Sequence, residues 1–536
     1  MLDANALPND LEGLKRLLLE REGTAAAQAL KLREKDRLIE HLKLQLARFR
    51  RWRYGQSSEQ LEGAGQIPLS LEAIEAAVRE VLNASEAMPQ ELAAAAPAKS
   101  KPVRRAGLPE HFERTENLIA PPETCCPDCA GPLTLLGEPD VAEVAEVKTI
   151  TFTVTRHVRP KKRCSKCSTI VQAPAPSRPI EKSFAGASLL ALILTWKFAF
   201  HLPLHRQCQM FAHAGLRLSR TTLMQWVGGS TQLLAPLVEA LGRYVLATSN
   251  VNTDDTPVRV LAPGTGKTKE GRLWTYVRDG TRWGSSDPPT VWYQYSANRK
   301  GEHPQRHLSK YVGKVQADAY AGYVPLFVAP GPGVPARMLE IACWAHVRRG
   351  LFDLFDATKS PTAKEALDRI GTLYDIEEDI CGHTPDVRRA ARQQRAVPHL
   401  KALHEWLVAT RAKVENASAL AKALDYALSR WVQLCRYAED GRLEIDNNTA
   451  ERSLRGVAIG RKNYLFFGAD SGGERAAIAY SLIETCKLNK IDPQRYLHYV
   501  LERIADHPIN RIEELLPWNV ADKLDQPEQV TEALAA

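Results

Sequence analysis

The chain's 536 residues are too many for one hydrophobic core and require three or more domains. With 44% hydrophobic and 25% charged residues it is globular in bulk, and a formal net charge of +8 suits an anionic partner without specifying one. Ten unevenly placed cysteines exclude a disulfide scaffold, the polar, acidic start from Met1 to Asp10 is no signal peptide, and the longest apolar run, Phe184 to Trp196, is too short to cross a bilayer. A cytoplasmic protein with no membrane partner is expected.

In residues 1–82 apolar side chains recur at every seventh position, Leu11, Leu18, Ala25, Leu32, Ile39 and Leu46. The matching positions Leu14, Arg21, Gln28, Lys35, Leu42 and Phe49 are only half apolar, so an imperfect coiled coil that dimerises is expected; the alternative is an amphipathic helix folded on its own core. Arg48, Arg50, Arg51 and Arg53 follow, interleaved with Phe49, Trp52 and Tyr54, as a DNA contact or a solvated helix end. Residues 83–108, rich in Ala, Pro and basic side chains, read as a linker.

Residues 109–178 carry two CxxC pairs, Cys126 with Cys129 and Cys164 with Cys167. Each pair closes a tight turn, and together they bring four thiolates to one tetrahedral Zn2+, with the alternating Val144 to Val158 between them supplying ribbon strands. Cys125 lacks the spacing. Residues 179–248 read as helical, and Leu204 to His213, the break at Gly215 to Ser219, and Arg220 to Gly228 have the proportions of a DNA-binding helix-turn-helix with Ser219 as N-cap, or of two ordinary core helices.

From Ser249 the period changes. Val251 to Asp254 leading to Pro257 to Leu261, then Arg272 to Arg278 and Thr290 to Tyr295, alternate like antiparallel strands; Gly313 to Ala317 is a strand ending at Asp318, Ala319 to Val328 a helix, and Met338 to Cys343 a strand. That order predicts a ribonuclease-H-like α/β domain over 249–480, with Asp254 beside Asp318. Gly266-Lys267-Thr268 ends like a phosphate-binding loop but lacks its first glycine and reads as a hairpin tip. Trp344 to Phe355 is a helix opening with His346, Arg348 and Arg349, where His346 reads as a buried structural histidine, the alternative being a role near bound metal, and an all-helical insertion covers about 357–440.

Leu443 to Gly468 then crowds Glu444, Asp446 and Glu451 against Arg452, Arg455, Arg461 and Lys462 before a strand-like Tyr464 to Phe467. Asn447-Asn448-Thr449 offers capping chemistry to a helix carrying Glu451 in its first turn. A carboxylate for metal beside arginines for phosphate has this composition, and so does a capped surface helix with solvated ion pairs. Glu444, Asp446 and Glu474 rival Glu451 as a third acid. Residues 481–536 form a closing helical segment.

With these residues assembled the chain resembles the insertion-sequence-66 family of transposases, of the DDE, ribonuclease-H-like class. The resemblance rests on the zipper, Cys126 to Cys167, Lys197 to Trp226, Asp254-Asp255-Thr256-Pro257, Gln316 to Tyr323, Cys343-Trp344-Ala345-His346, Asp446-Asn447-Asn448 through Phe467, and Ser481 to Leu497. Where the family carries Asp-Glu-Thr-Pro this chain has Asp255, and the first acid is assigned to Asp254. The resemblance implies a multidomain α+β protein with catalytic acids Asp254, Asp318 and Glu451 holding Mg2+ or Mn2+, and Arg452, Arg455, Arg461 and Lys462 on DNA phosphates. It also implies cleavage and strand transfer at the element's terminal inverted repeats into target DNA, a homodimer or higher oligomer, small accessory proteins, and a place at the bacterial nucleoid. The alternatives are a DNA-binding regulator without chemistry and a metal-dependent nuclease lacking strand transfer.

Overall fold

The computed structural model describes residues 176–524 almost without interruption, with short pieces at 151–155, 161–163 and 170–172 and six helical positions between 12 and 43. Contacts separate Pro68–His157 from a unit formed by the rest of the chain. Pro68–His157 lies outside the described residues apart from 151–155, and every helix and strand named below belongs to the other unit. Of the expected zipper seam, Ile39 and Leu42 are described, both helical and exposed in the single chain. Strands β1 (Lys161–Arg163) and β2 (Ile170–Gln172) pair antiparallel, with the second CxxC in the sequence between them. Cys126, Cys129, Cys164 and Cys167 themselves lie outside the described residues, as does the linker 83–108.

The longest apolar run becomes α1 (Ala187–Phe198), hydrophobic on every side and buried at Leu190, Ile193, Leu194 and Phe198. Such a helix needs partners all round. It finds them in α2 (Leu204–His213), in α3 (Arg220–Leu246) and in the C-terminal helices. No described helix is long and apolar enough to cross a membrane. Ser219 caps α3 by accepting the Thr222 N–H at 3.0 Å, as its residue type predicts. The second helix of the expected helix-turn-helix is therefore a 27-residue pillar, whose opening, around Arg220, Thr221 and Met224, stands exposed.

The sheet has five strands in the order β5-β4-β3-β6-β7: β3 (Asn250–Ala262), β4 (Lys267–Arg278), β5 (Thr290–Ser296) and, after the short α4 (Glu302–His307), β6 (Gly313–Gln316) and β7 (Met338–Ile341). The first three form an antiparallel meander, and β6 and β7 run parallel to β3. Gly264 (φ 81°) and Gly266 (φ 65°) turn the β3–β4 hairpin in the left-handed region. The edge strand β5 is covered, because Ser481 and Thr485 accept its Tyr293 and Val291 N–H groups.

Three local expectations are corrected. The pieces on either side of Pro257 are one continuous β3, because β6 stops at Gln316 and leaves that edge of β3 open, where a residue without an N–H costs no ladder bond. Ala321–Phe327 forms 3-10 turns around Pro325 in place of the expected helix. Tyr464 to Phe467 is no strand; Phe467 alone bridges β3, exchanging hydrogen bonds with Arg259 and Leu261 at 2.8 and 2.9 Å.

After β7 the chain enters α5 (Trp344–Thr358), then the helical block α6 (Pro361–Asp379), α7 (Pro385–Ala391), a π turn into α8 (Val397–Arg411), α9 (Ala419–Ser429) and α10 (Trp431–Cys435). Its aromatic stripe is core: Trp344 stacks edge-on against Trp431, with Tyr374, Trp406 and Tyr426 around them. The chain returns through α11 (Asn448–Ser453) and α12 (Arg455–Asn463). It closes with α13 (Asp470–Leu488), which lies on β5 and α3, then α14 (Pro493–Arg503) and α15 (Pro517–Leu524).

Candidate active site

Strand register brings the first two acids together. Asn252 on β3 faces Gln316, the last residue of β6; Asp254 lies two residues further along β3, and Asp318 two residues past the end of β6. Carboxylate oxygens of Asp254, Asp255 and Asp318 fall within 4.8 Å of one another. Neighbouring strand residues have different duties here. Asp255, with a side chain only 1% exposed, is taken by Arg272 at 3.0 Å and Arg299 at 2.8 Å. Asp254 meets no cation within ion-pair distance among the described residues and accepts only the Asp255 N–H at 2.8 Å. Arg299 also reaches Asp318 at 3.4 Å while stacking on the Tyr320 ring.

The third acid arrives through a buried amide network. Asn252 Nδ2 donates to Gln316 Oε1 at 3.0 Å and to Asn447 Oδ1 at 3.1 Å, and Asn447 Nδ2 donates to the Thr253 carbonyl at 2.8 Å. Gln316 Nε2 reaches the Glu444 carbonyl at 2.9 Å, and the Asn447 N–H rests on Cys343 Sγ at 3.1 Å. Burial pushes the Cys343 thiol up to about 12, so it stays a neutral acceptor. These contacts stitch β3, β6 and the start of α5 to the segment entering α11, and Glu451 follows one turn later. The expected cap is thereby corrected: Asn447 spends its side chain on β3, and Asp446 instead accepts the Asn448 N–H at 3.0 Å. Asn447→Ala leaves the buried Asn252 amide and Thr253 carbonyl of β3 short of a partner and is expected to cost about 1–3 kcal/mol, read from the denaturant midpoint.

Glu451 is half-buried. Its Oε2 accepts from Arg349 at 2.9 Å, and its Oε1 faces His346 Nδ1 at 3.9 Å. The rivals are otherwise engaged: Glu444 pairs with Arg388 at 3.0 Å, Asp446 caps, and Glu474 is exposed on α13. Arg452, Arg455 and Lys462 are exposed along α11 and α12, whereas Arg461 is half-buried and donates to the Pro257 carbonyl. The sequence reading missed Asn252 and Arg299, and gave Gln316, Arg349 and Asn447 no positioning role. Only the asparagine and glutamine at buried strand positions, where apolar residues are the rule, could have signalled the network.

Asp254 is the electrostatic centre. Burial, opposed by the Asp255 N–H and reinforced by the charges of Asp318, Glu451 and Asp255, lifts its carboxyl to about 8. Oxygen donors whose negative charges oppose one another suit hard divalent cations, so this donor set fits Mg2+ or Mn2+. A carboxyl raised in the folded state holds a proton that the unfolded chain has lost. Stability of metal-free protein therefore falls as pH rises from about 4, the ordinary carboxylate value, to about 8. Asp254→Asn is expected to flatten that slope in a thermal series; an unchanged slope would move the buried proton to another group.

Family models match along most of the chain: "Transposase IS66 family" at residues 182–475, "IS66 C-terminal element" at 481–518, "zinc-finger binding domain of transposase IS66" at 123–168, and "Transposase C of IS166 homeodomain" at 41–116. The uncharacterised protein y4hP of Sinorhizobium fredii is 39% identical over 491 residues, covering 89% of this chain and 88% of its own. Protein y4jD of the same organism is 34% identical over 525 residues, covering 97% and 98%. The zinc-finger match spans both CxxC pairs and supports structural zinc, and the homeodomain match supports DNA as partner. With a transposase model spanning more than half its length and relatives aligned nearly end to end, the chain belongs to the IS66 family and is a DNA transposase.

Proposed function

We propose that Asp254, Asp318 and Glu451 are the catalytic acids of a ribonuclease-H-like DDE domain that cuts the ends of its insertion sequence and joins them to target DNA. The observation carrying this reading is that the carboxylates of Asp254 and Asp318 come within 4.8 Å of each other, with the charge of Glu451 acting on the same buried Asp254 carboxyl. A meander followed by two strands parallel to its first, in the order β5-β4-β3-β6-β7, supports the ribonuclease-H-like assignment. The acids would hold Mg2+ or Mn2+, which when bound supplies nucleophile activation and neutralises the leaving oxygen. Cys126, Cys129, Cys164 and Cys167 would hold the structural Zn2+.

The chain's own residues divide the remaining work. Arg299 and Arg349 orient Asp318 and Glu451, and exposed Arg452, Arg455 and Lys462 bind DNA phosphates. Arg461 would shape β3 beneath them. Water attacks the terminal phosphodiester, its oxygen bonding phosphorus as the bond to the 3' oxygen breaks. The freed 3'-hydroxyl then attacks a target phosphodiester and displaces the target's 3' oxygen. The exposed Ile39 and Leu42 support a zipper homodimer or higher oligomer acting at the nucleoid, with element-encoded accessory proteins as further partners. The domain limits 1–82, 83–108, 109–178, 179–248, 249–480 and 481–536 are part of the same proposal.

The test incubates full-length protein with Mg2+ or Mn2+ and DNA carrying both element ends. Joined products support the proposal. Nicks without joining, at saturating target, would reduce the protein to a nuclease; binding without cutting in the presence of the accessory proteins would overturn the catalytic reading.

A further inference from the structure

The junction where α5 begins brings two polar atoms face to face without a hydrogen bond between them. His346 Nδ1 and Glu451 Oε1 are each shut off from solvent, and neither has a hydrogen-bond partner among the described residues. They face each other at 3.9 Å, too far for a hydrogen bond. Buried polar atoms left this way are rare and ask for an occupant. Two ligands on one ion, each about 2.0–2.2 Å from it, stand about 3–4 Å apart. The gap is that size.

Both atoms are also aimed. Trp344, just ahead of His346, is fully buried, donates its indole N–H to the Leu434 carbonyl at 3.0 Å, and donates its backbone N–H to the Ile445 carbonyl at 3.1 Å. The start of α5 is thus tied to the segment leading into Glu451. Arg349, almost one turn beyond His346, takes Glu451 Oε2 and leaves Oε1 turned toward the imidazole. A charge-assisted bond on one carboxylate oxygen orients the other.

We propose that His346 is a metal ligand: its Nδ1, with Glu451 Oε1, holds one divalent ion of the acidic site and makes that position prefer Mn2+ to Mg2+. The inference rests on the reading of Glu451 given above. An imidazole nitrogen favours borderline transition ions, whereas Mg2+ favours oxygen alone. Cys343 Sγ lies within 4.8 Å of a ring nitrogen of His346 and a carboxylate oxygen of Glu451 but already receives the Asn447 N–H, so its part is to hold that loop.

Mn2+ titrated into zinc-loaded full-length protein and followed by electron paramagnetic resonance tests this without relying on activity. Pulsed spectra of wild type should show nitrogen-14 coupling from a bound imidazole. His346→Ala should lose that coupling and weaken Mn2+ at least about tenfold while changing Mg2+ affinity less. His346→Gln keeps the size and an oxygen donor, so it should bind Mn2+ without the nitrogen signal and guards against a folding artefact. Coupling that persists in both variants, or is absent from wild type with Mn2+ bound, overturns the inference. Asp254→Asn and Glu451→Gln separate the two readings: if neither weakens Mn2+, the acidic site itself is wrong, whereas if both do and His346→Ala does not, only the role of His346 falls.

Discussion

Glu451→Gln is expected to abolish metal-dependent cutting at the element ends, by at least about a thousandfold, with little change in stability. Removing one charged metal ligand forfeits several kcal/mol of transition-state stabilisation, and about 4 kcal/mol is a thousandfold in rate. Glutamine keeps an oxygen near Arg349 and the same volume, so the half-buried position is not emptied. Two neighbours serve as controls. Asp446→Asn should keep activity wherever it folds, because Asp446 serves Asn448 and the turn into α11. Glu444→Gln should lose stability first, since its carboxylate answers the buried Arg388 at 3.0 Å. Single-turnover cleavage measured beside thermal midpoints distinguishes them. Wild-type cutting by Glu451→Gln would dismiss Glu451, and a folded but inactive Asp446→Asn would put Asp446 in its place.

The second large effect lies away from the acids. Arg392→Ala is expected to destabilise the protein by about 3–5 kcal/mol, the usual consequence of removing one partner from a buried ion pair. Arg392 is fully buried, and every N–H it owns is used. Nε and one Nη2 hydrogen grip Glu377 at 2.7 and 2.6 Å, while the rest go to the carbonyls of Tyr437, Asp440 and Leu443 at 2.8, 2.9 and 2.8 Å. Glu377 is shared with Arg388, which continues to Glu444. This network fastens the helical block to the segment that goes on to Asn447 and Glu451. Its loss should therefore lower cleavage as well. Arg392→Lys should recover little, because a lysine has three donors on one atom and cannot fork. A urea midpoint within about 1 kcal/mol of wild type would show that the carbonyls find water instead.

How far the sequence reaches depends on the range of the interaction that decides each feature. Periodicity and spacing are covalent or near-neighbour properties. They sufficed for the buried run of α1, the Ser219 cap, the meander β3 to β5, the hairpin at Gly264 to Gly266 and the helical block after α5. They also put Asp254 on, and Asp318 just past the end of, strands that become neighbours. They failed where a distant residue outbid a local preference. Asn447 has the composition of a cap, but the Thr253 carbonyl claims its amide from 194 positions away. Tyr464 to Phe467 has strand composition, but β3 offers it only a single bridge.

The acids show the same division. By itself the sequence determined that carboxylates cluster at Asp254-Asp255, Asp318 and Glu444 to Glu451, that two CxxC pairs have the spacing of zinc ligands, and that basic residues follow the last acid. Only the tertiary structure decided which acids stay without a buried ion pair. Arg272 and Arg299 neutralise Asp255, Arg388 neutralises Glu444, and an amide network from two other strands holds the loop before Glu451. An acid's role follows from the charges and donors around it, and those come from residues that meet only when the sheet and the helical block have closed.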